Sequence, residues 1–407
     1  MCSIYGAIGQ PDPGKLEAIR DRARDRGRDG GQLVRYALPN GGSAFLGNWR
    51  ATPTTERERG RLQPYEGIVH NGTIANDQEL GRQAGEIDSE VLPRVLVDRS
   101  SLAALRDQLV RVVGSYALGI FTGRSIVLAA NYKPIHYYAG ERAVYFSSLA
   151  HHLAPVVARG HAPLPVAPYS LIDLVTFETL PIARETSRRA LVIASAGLDS
   201  TTVAALLIEQ GYTVTLLHFR YGCTAESKEA ALIPLLAARL GCAYDFLPID
   251  YTKFKGRSPI LQAGIVAPAI AGAEFAHEWV PARNLVMLAL AAAYAEANGY
   301  HTIALGNNLE EAGAYPDNEQ QFTLQFDGLL DYAVRAGYAL RVVAPVAHLM
   351  KHEIVREGLR LHVPYEITWS CYHAGDQHCG QCGPCFMRRE AFARNGVVDP
   401  VFAGEVV

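Results

Sequence analysis

No stretch of this 407-residue chain approaches the roughly 18–20 consecutive apolar residues that a membrane-spanning helix needs. The longest uninterrupted run, Leu285–Ala295, reads as a buried helix. The sequence does not open on a basic segment followed by an apolar one, so a secretory signal is not expected. Charge is scarce: 19% of residues are Asp, Glu, Lys or Arg, and the formal net charge is −3. That balance argues against a protein built mainly to coat nucleic acid, while leaving room for a local basic patch. Internal repeats and low-complexity segments are missing. A hydrophobic fraction of 49% excludes disorder as the main state. The seven cysteines are odd in number, and four crowd into Cys371–Cys385. That fits a metal site in a reducing compartment better than a disulfide framework. The expectation is a cytoplasmic protein without a membrane partner.

At roughly 100–200 residues per domain, the length suggests two or three domains. Residues 1 to about 160 carry short alternating runs broken by Gly, Asn and Pro: Ser43–Leu46, Gly67–His70, Ala117–Phe121, Ile126–Ala130 and Ala143–Ser147. This is β-rich, layered patterning. From about residue 190 the rhythm changes. Strand-like Ala190–Ala194, Thr213–His218, Ala243–Ile249 and Thr302–Leu305 alternate with helix-like Thr201–Gln210, Glu226–Leu240, Arg283–Asn298 and Gln320–Ala336. That alternation predicts a parallel sheet covered by helices. The charged joint Arg184–Arg189 places a boundary near residue 188, giving domains 1–187 and 188–407. The Arg-rich stretch Arg20–Arg35, interleaved with Asp21, Asp25 and Asp29, reads as a solvated, salt-bridged face.

The chain opens Met1-Cys2-Ser3-Ile4-Tyr5-Gly6. Trimming of Met1 would leave Cys2 with a free α-amine able to take its thiol proton. Arg50 could pair with a substrate carboxylate, and Asp88 could hold a substrate ammonium. Asn71-Gly72 offers a side-chain amide beside a backbone N–H, the makings of an oxyanion hole. These residues lie in segments that resemble class II (N-terminal nucleophile) glutamine amidotransferase domains. Met1–Ile4 is similar to MCGI, Arg26–Gly30 to RGPDG, His70–Gly72 to the HNGxI element and Asp88–Glu90 to (S/T)D(S/C)E. Gly114–Ala117 and Leu128–Tyr138 match later strands. Ser3 departs from the usual Gly and Arg28 from the usual Pro; neither change removes a catalytic group. The resemblance covers about residues 1–160. It implies Cys2 as nucleophile, Asn71 and Gly72 as oxyanion hole, and Arg50 and Asp88 as glutamine-binding residues.

The second half carries Ser195-Ala196-Gly197-Leu198-Asp199-Ser200 between a strand and a helix. Small residues let backbone N–H groups approach phosphate, and the helix N-terminus favours the anion. Without GK[ST] this is not a Walker loop. Asp199 could hold Mg²⁺. The loop resembles SGGxDS, the pyrophosphate loop of N-type ATP pyrophosphatases, with Ala196 replacing Gly; that Ala is cheap only if its φ is negative. Within that superfamily, residues 190–395 resemble the 7-cyano-7-deazaguanine synthase (QueC) family. Phe219–Gly222 is similar to its FDYGQ segment, with Arg220 for Asp and Cys223 for Gln. Val280–Asn284 is similar to VPGRN, Gly306–Asp317 to the GxxxxDxxxYPDC loop and Lys351–Ile354 to KAEI. The resemblance implies ATP contacts along Ser195–Ser200 and at Lys351. It makes Arg283, Asn284, Tyr315 and Asp317 candidates for binding ATP and a 7-deazaguanine. The changes at Arg220, Cys223 and the Gly306–Ala314 loop fall where substrate should lie.

Cys371-x7-Cys379-x2-Cys382-x2-Cys385 supplies four soft ligands within fifteen residues, which favours tetrahedral Zn²⁺ over an iron–sulfur cluster. QueC proteins are similar here, so the site is expected to be structural. The expected fold is α/β with two domains. The first is an αββα N-terminal-nucleophile-hydrolase-like sandwich; the second is a parallel-sheet PP-loop domain with a Cys₄ zinc appendix. The expected activity is C–N bond formation on a 7-deazaguanine, through carboxylate adenylation with release of AMP and pyrophosphate. Its nitrogen would come from glutamine or another amine. Three readings compete with that: coupling of a 7-deazaguanine to a protein amine, as in QueC-like proteins of anti-phage operons; an archaeosine-synthase-like reaction on tRNA; and a silent nucleotide-binding sensor. ATP, a deazaguanine and glutamine are the expected partners, with assembly as a homo-oligomer.

Overall fold

The computed structural model describes residues 2–52, 62–254, 258–261 and 279–402. Met1, and with it the expected trimming, lies outside the described residues. The chain forms two units, Met1–Glu185 with Arg335–Gly337, and Thr186–Val334 with Tyr338–Val407.

Alternation of side chains with period two builds the first unit. Strand β1 (Ser3–Gly9) is buried on both faces: Ile4 and Ile8 point one way, Tyr5 and Ala7 the other. It pairs antiparallel with β3 (Ser43–Arg50) and β8 (Ala143–Ser147). The sheet is completed by β2 (Gly30–Ala37), β7 (His136–Ala139) and β9 (Leu164–Pro165), in the order β2-β3-β1-β8-β7-β9. A second antiparallel sheet runs β11-β10-β6-β5-β4, from Thr179–Pro181, Ser170–Asp173, Ile126–Ala130, Gly114–Phe121 and Ile68–Ile74 respectively. Ile4, Leu46 and Phe146 of the first sheet meet Val69, Ala117 and Leu128 of the second. Helix α1 (Pro13–Ala23) covers the outer face of the first sheet through Leu16 and Ile19 against Tyr5 and Tyr145. On the outer face of the second, α2 (Leu92–Val95) and α3 (Leu102–Leu109) place Leu92, Leu105 and Leu109 against Leu118 and Ile120. The four layers are αββα, as the resemblance implies.

The Arg-rich stretch differs from its sequence reading. Its charged residues are exposed as expected, Arg26 excepted, but they are spread over α1, a short turn of helix over Arg24–Arg26 and strand β2 rather than along one face. Arg20 and Arg24 lie over the Trp49 ring, and Asp25 pairs with His151 and His152. Cation–π contact with Trp49 and the buried His152 imidazole add to what exposed Arg–Asp pairs, which contribute little in water, could supply.

The second unit is a parallel sheet of order β14-β13-β12-β15-β16, with β12 Arg189–Ile193, β13 Thr213–Arg220, β14 Ala243–Pro248, β15 Thr302–Ala304 and β16 Arg341–Val343. Helices cover both faces. Val203, Ala204 and Leu207 of α4 (Leu198–Glu209) and Ile233 and Leu236 of α5 (Glu226–Leu240) pack on Val192 and Leu216. Met287, Leu288 and Ala291 of α6 (Arg283–Asn298) pack on Leu191 and Ile303, joined by Phe326 and Leu330 of α8 (Gln320–Ala333), which follows the short α7 (Leu309–Ala312). The run Leu285–Ala295 is therefore buried along one stripe only, since Leu285 and Leu290 are exposed. The helix expected to reach Ala336 stops at Ala333 because Val334 is extended, with φ −96° and ψ 165°. Among the described residues no helix is long and apolar enough to cross a membrane.

Candidate functional site

In a parallel sheet, ligands bind beyond the carboxyl ends of the strands where the strand order reverses. Here the reversal lies between β12, the first strand of the unit, and β15. A cleft of ≈ 260 Å³ opens there, bounded by the segments that leave β12, β13 and β15. The helix after β12 starts at Leu198, three residues earlier than the periodicity suggested, with extended Gly197 (φ −83°, ψ 174°) as its cap. Leu198, Asp199 and Ser200 thus form the first helical turn, where unpaired N–H groups gather. Ser200 Oγ accepts from Ser195 N–H at 3.3 Å, folding the loop onto itself. Gly306 passes so close that a Cβ there would stand 2.9 Å from Ser200 N.

Ala196 has φ +58°. The condition under which this alanine would be cheap is not met: the loop needs the left-handed conformation, which costs a non-Gly residue roughly 1–2 kcal/mol. Ala282, which stands at the Gly of the VPGRN pattern, is likewise left-handed at φ +50° and precedes α6. Ala196 is fully buried, and its carbonyl accepts from Trp369 N–H at 2.8 Å.

Lys351, at the start of α9 (Lys351–Arg360), is buried between two carboxylates. Its Nζ lies 2.7 Å from Asp199 Oδ2 and 2.7 Å from Glu311 Oε1. Burial opposes its charge, yet Asp199 and Glu311 outweigh that and push its pKa up. The two acids divide unevenly. Burial raises Asp199, helped by Glu311 and opposed by Lys351, whereas for Glu311 the Lys351 ammonium overcomes burial and holds it low. Asp199 Oδ1 is buried and lacks a hydrogen-bond partner among the described residues. One ammonium between two carboxylates leaves net negative charge and an unused oxygen lone pair. That set fits a hard divalent cation such as Mg²⁺, which prefers oxygen ligands.

Of the remaining candidates, Arg283 and Asn284 line the cleft; Ala196, Tyr315 and Asp317 do not. Asp317 Oδ2 instead accepts from Asn284 N–H at 3.4 Å, on the first turn of α6. Tyr315 stacks on Trp279 with ring centroids 6.3 Å apart.

Several cleft residues escaped sequence reasoning. Glu229 on α5 is pushed up to about 7, burial outweighing the Arg283 charge, and Cys223 Sγ lies 4.0 Å away. His218 Nδ1 lies 2.8 Å from the Ala194 carbonyl, so Nδ1–H donates and Nε2 is an acceptor. That Nε2 is buried without a partner among the described residues, and burial keeps the ring neutral. Helical period alone marks Glu229 as a surface acid; its role is legible only once β13 brings Cys223 beside it.

The four cysteines converge. Cys371 Sγ is 3.9 Å from Cys382 Sγ, Cys379 Sγ is 4.0 Å from Cys385 Sγ, and all four lie within 4.8 Å of one another. Zn–S bonds of 2.3 Å in a tetrahedron need S···S separations of roughly 3.8 Å. The donor set and spacing fit zinc. Gly380, at φ +69°, makes the turn between the second and third ligands. His378 is not needed as a ligand: its Nε2 accepts from Ser370 N–H at 3.1 Å. Below the cluster, Arg388 is fully buried and doubly bonded to Asp399 at 2.7 and 3.0 Å, fixing α10 (Gly383–Ala393). Trp369, Ser370 and Tyr372, beside the first ligand, line the cleft.

In the first unit, Cys2 precedes β1 and its Sγ lies 3.7 Å from the Ala51 carbonyl, one residue beyond Arg50. Arg50 is buried, and its carbonyl accepts from Asp29 N–H at 3.0 Å. Burial lowers the pKa of Arg26, opposed by negative charge at Asp25 and at Cys2 when its thiol ionises. The structure thus brings Cys2, Arg50 and the Arg26–Gly30 turn together. Asn71, Gly72 and Asp88 gather on the other sheet. Asn71 is buried, with Nδ2 lacking a partner among the described residues. A Cβ on Gly72 would meet the Ser115 carbonyl at 1.9 Å. Asp88 accepts from Ile74 N–H and Ser89 N–H, each at 2.7 Å.

Comparison with known proteins agrees with this geometry. Residues 189–396 match the family model of queuosine biosynthesis protein QueC. The 7-cyano-7-deazaguanine synthase of Sulfolobus acidocaldarius is 39% identical across 98% of this chain and 99% of its own. That of Methanothrix thermoacetophila is 40% identical over 218 residues, 52% of this chain and 97% of its own. Among solved structures, a Bacillus subtilis glutamine phosphoribosylpyrophosphate amidotransferase covers 95% of the chain at 15% identity, 96% of its own length aligned, with a TM-score of 0.37, too distant to bear on function. With its full-length relatives and its matched second half, the chain belongs to the QueC family.

Proposed function

We propose that the chain is an ATP-dependent 7-cyano-7-deazaguanine synthase with its own glutamine amidotransferase domain. Residues 1–187 release ammonia from glutamine, and residues 188–407 spend ATP to install it. The observation that carries this reading is Asp199 Oδ1, without a hydrogen-bond partner among the described residues, beside Lys351 at a helix N-terminus in the strand-end cleft. A metal-bound triphosphate needs those groups: N–H donors for phosphate, a lysine, and a carboxylate oxygen for Mg²⁺.

In the first unit, the Cys2 thiolate attacks the glutamine side-chain amide. The unpartnered Asn71 amide and the Gly72 N–H receive the developing oxyanion, while Arg50 and Asp88 hold the amino-acid ends. Ammonia leaves and water later frees glutamate. In the second unit, a carboxylate oxygen of a 7-carboxy-7-deazaguanine attacks the α-phosphorus and pyrophosphate departs. Ammonia displaces AMP from the acyl adenylate to give the amide. A second ATP activates the amide oxygen, and loss of AMP gives the nitrile. Ser195–Ser200 and Lys351 bind the phosphates; Arg283 and Asn284 face the heterocycle, with Asp317 and Tyr315 supporting α6 and its approach. Asp199, with Glu311 nearby, would hold Mg²⁺, which would supply positive charge to the phosphates. Zinc at the Cys₄ site would be structural. Ammonia is the amine that the first unit's residues would generate, which favours it over a protein amine or a tRNA-borne base.

The test is to incubate the full chain with ATP, 7-carboxy-7-deazaguanine and glutamine, and to read products by mass. AMP, pyrophosphate and the nitrile are expected, with Cys2→Ala abolishing the glutamine-dependent reaction and ammonium restoring it. Failure to form AMP or pyrophosphate overturns the reading.

A further inference from the structure

Outside both sites, Asp25, His151 and His152 converge on the first unit. His151 Nε2 lies 2.9 Å from Asp25 Oδ2, and His152 Nε2 lies 3.0 Å from Asp25 Oδ1. The three ligand atoms lie within 4.8 Å of one another. The rings meet edge to face with centroids 4.5 Å apart, and each turns its Nε2 to one oxygen of the Asp25 carboxylate. We propose that these three residues form a second metal site, one that takes a divalent first-row transition ion such as Zn²⁺ or Co²⁺ through two imidazoles and one carboxylate.

Three features support it. The first is spacing. Bonds of about 2.0–2.2 Å in a tetrahedron put ligand atoms roughly 3.3–3.5 Å apart. The two imidazole–carboxylate separations, 2.9 and 3.0 Å, need to open by only a few tenths of an ångström, and the two nitrogens already lie within 4.8 Å of each other. The second is the support behind His152, which is fully buried. Its Nδ1 lies 2.8 Å from Ser147 Oγ, and that hydroxyl lies 3.3 Å from the Ile4 carbonyl. With Nε2 on a metal, Nδ1–H donates to Ser147 Oγ, whose own proton goes to Ile4 O. Every donor in that chain then has one acceptor. Metal-binding histidines are commonly oriented through the second ring nitrogen in this way. The third is access. The Asp25 and His151 side chains are 46% and 59% exposed, so an ion can enter and a fourth position is left for water. Imidazole with carboxylate suits zinc and cobalt rather than Mg²⁺. Arg26, the next residue along, sets the opposing charge and limits affinity.

The test is to dialyse the full chain against Co²⁺ and measure metal per chain, together with the absorption spectrum. Wild type is expected to hold one equivalent more than His151→Ala or Asp25→Asn. The difference spectrum should lack thiolate-to-cobalt charge transfer, which separates this site from the cysteines whether or not those are loaded. Ser147→Ala should raise the half-saturating Co²⁺ concentration at least tenfold. Equal metal content in wild type and both variants overturns the proposal, as does a difference spectrum dominated by thiolate bands. Both substitutions fall on exposed side chains, and circular dichroism identifies any variant that has lost its fold.

Discussion

Trp369 donates its backbone N–H to the Ala196 carbonyl at 2.8 Å, so the segment that leads into the cysteine cluster is fastened to the phosphate loop. The cluster begins two residues on, at Cys371, and its metal is therefore expected to act on nucleotide binding without touching the nucleotide. Cys382→Ser, or extraction of zinc by a chelator, should weaken binding of a non-hydrolysable ATP analogue at least tenfold and lower the melting temperature. Calorimetry and thermal denaturation check this, and restored zinc should rescue the chelated wild type but not the variant.

The two left-handed alanines should respond differently to glycine. At Ala282, which is exposed, Ala282→Gly removes strain of about 1–2 kcal/mol and adds unfolded-chain entropy of about 0.5–1 kcal/mol, a net stabilisation of about 0.5–1 kcal/mol. At Ala196 the same change also gives up a fully buried methyl, about 0.8 kcal/mol, so Ala196→Gly should be close to neutral. Urea denaturation of the two variants checks the contrast.

Removing the Lys351 ammonium leaves Asp199 and Glu311 facing each other in a buried site. Lys351→Met should destabilise the chain by about 3–5 kcal/mol. Lys351→Met combined with Glu311→Gln should recover a large part of that loss, because one uncompensated carboxylate is easier to keep protonated than two. A double-mutant cycle of unfolding free energies measures the coupling.

Glu229 gives a pH dependence of defined sign. Its folded pKa of about 7 lies above the ordinary value of 4.5, so the folded state binds more protons than the unfolded state between those limits. Stability from this group should fall as pH rises from about 4.5 to about 7 and level off above. Arg283, opposite, moderates the effect, and neighbouring Glu226 adds to it. Glu229→Gln should flatten that slope in unfolding curves taken across the range.

Much of the fold was legible where one physical signal dominates. Ile126–Ala130, Ala143–Ser147, Glu226–Leu240 and Arg283–Asn298 coincide with the runs read from hydrophobic period, because each is bounded by residues that end its element; Gly241 and Gly299, both left-handed, stop the two helices. Strand β2 was hidden because its one charged residue, Arg35, reads with the preceding run Arg20–Asp29 as a solvated face when its partner β3 is unknown. The four thiols could be grouped from spacing. The Asp199–Lys351–Glu311 triad could not, since 152 and 40 residues separate the lysine from its partners and only the fold joins them. Glu311 lies in a four-residue helix, Leu309–Ala312, too short for any period to show. The phosphate loop was recognisable, but the cost at Ala196 needed a dihedral angle.

The central claim is that a carboxylate oxygen of the substrate attacks the α-phosphorus of ATP. Running the reaction with 7-carboxy-7-deazaguanine labelled with oxygen-18 in its carboxylate tests it most directly. The account predicts that AMP recovered after amide formation carries one labelled oxygen, because ammonia breaks the acyl carbon–oxygen bond and that oxygen leaves on phosphorus. Unlabelled AMP, or label found in pyrophosphate or inorganic phosphate, would contradict it.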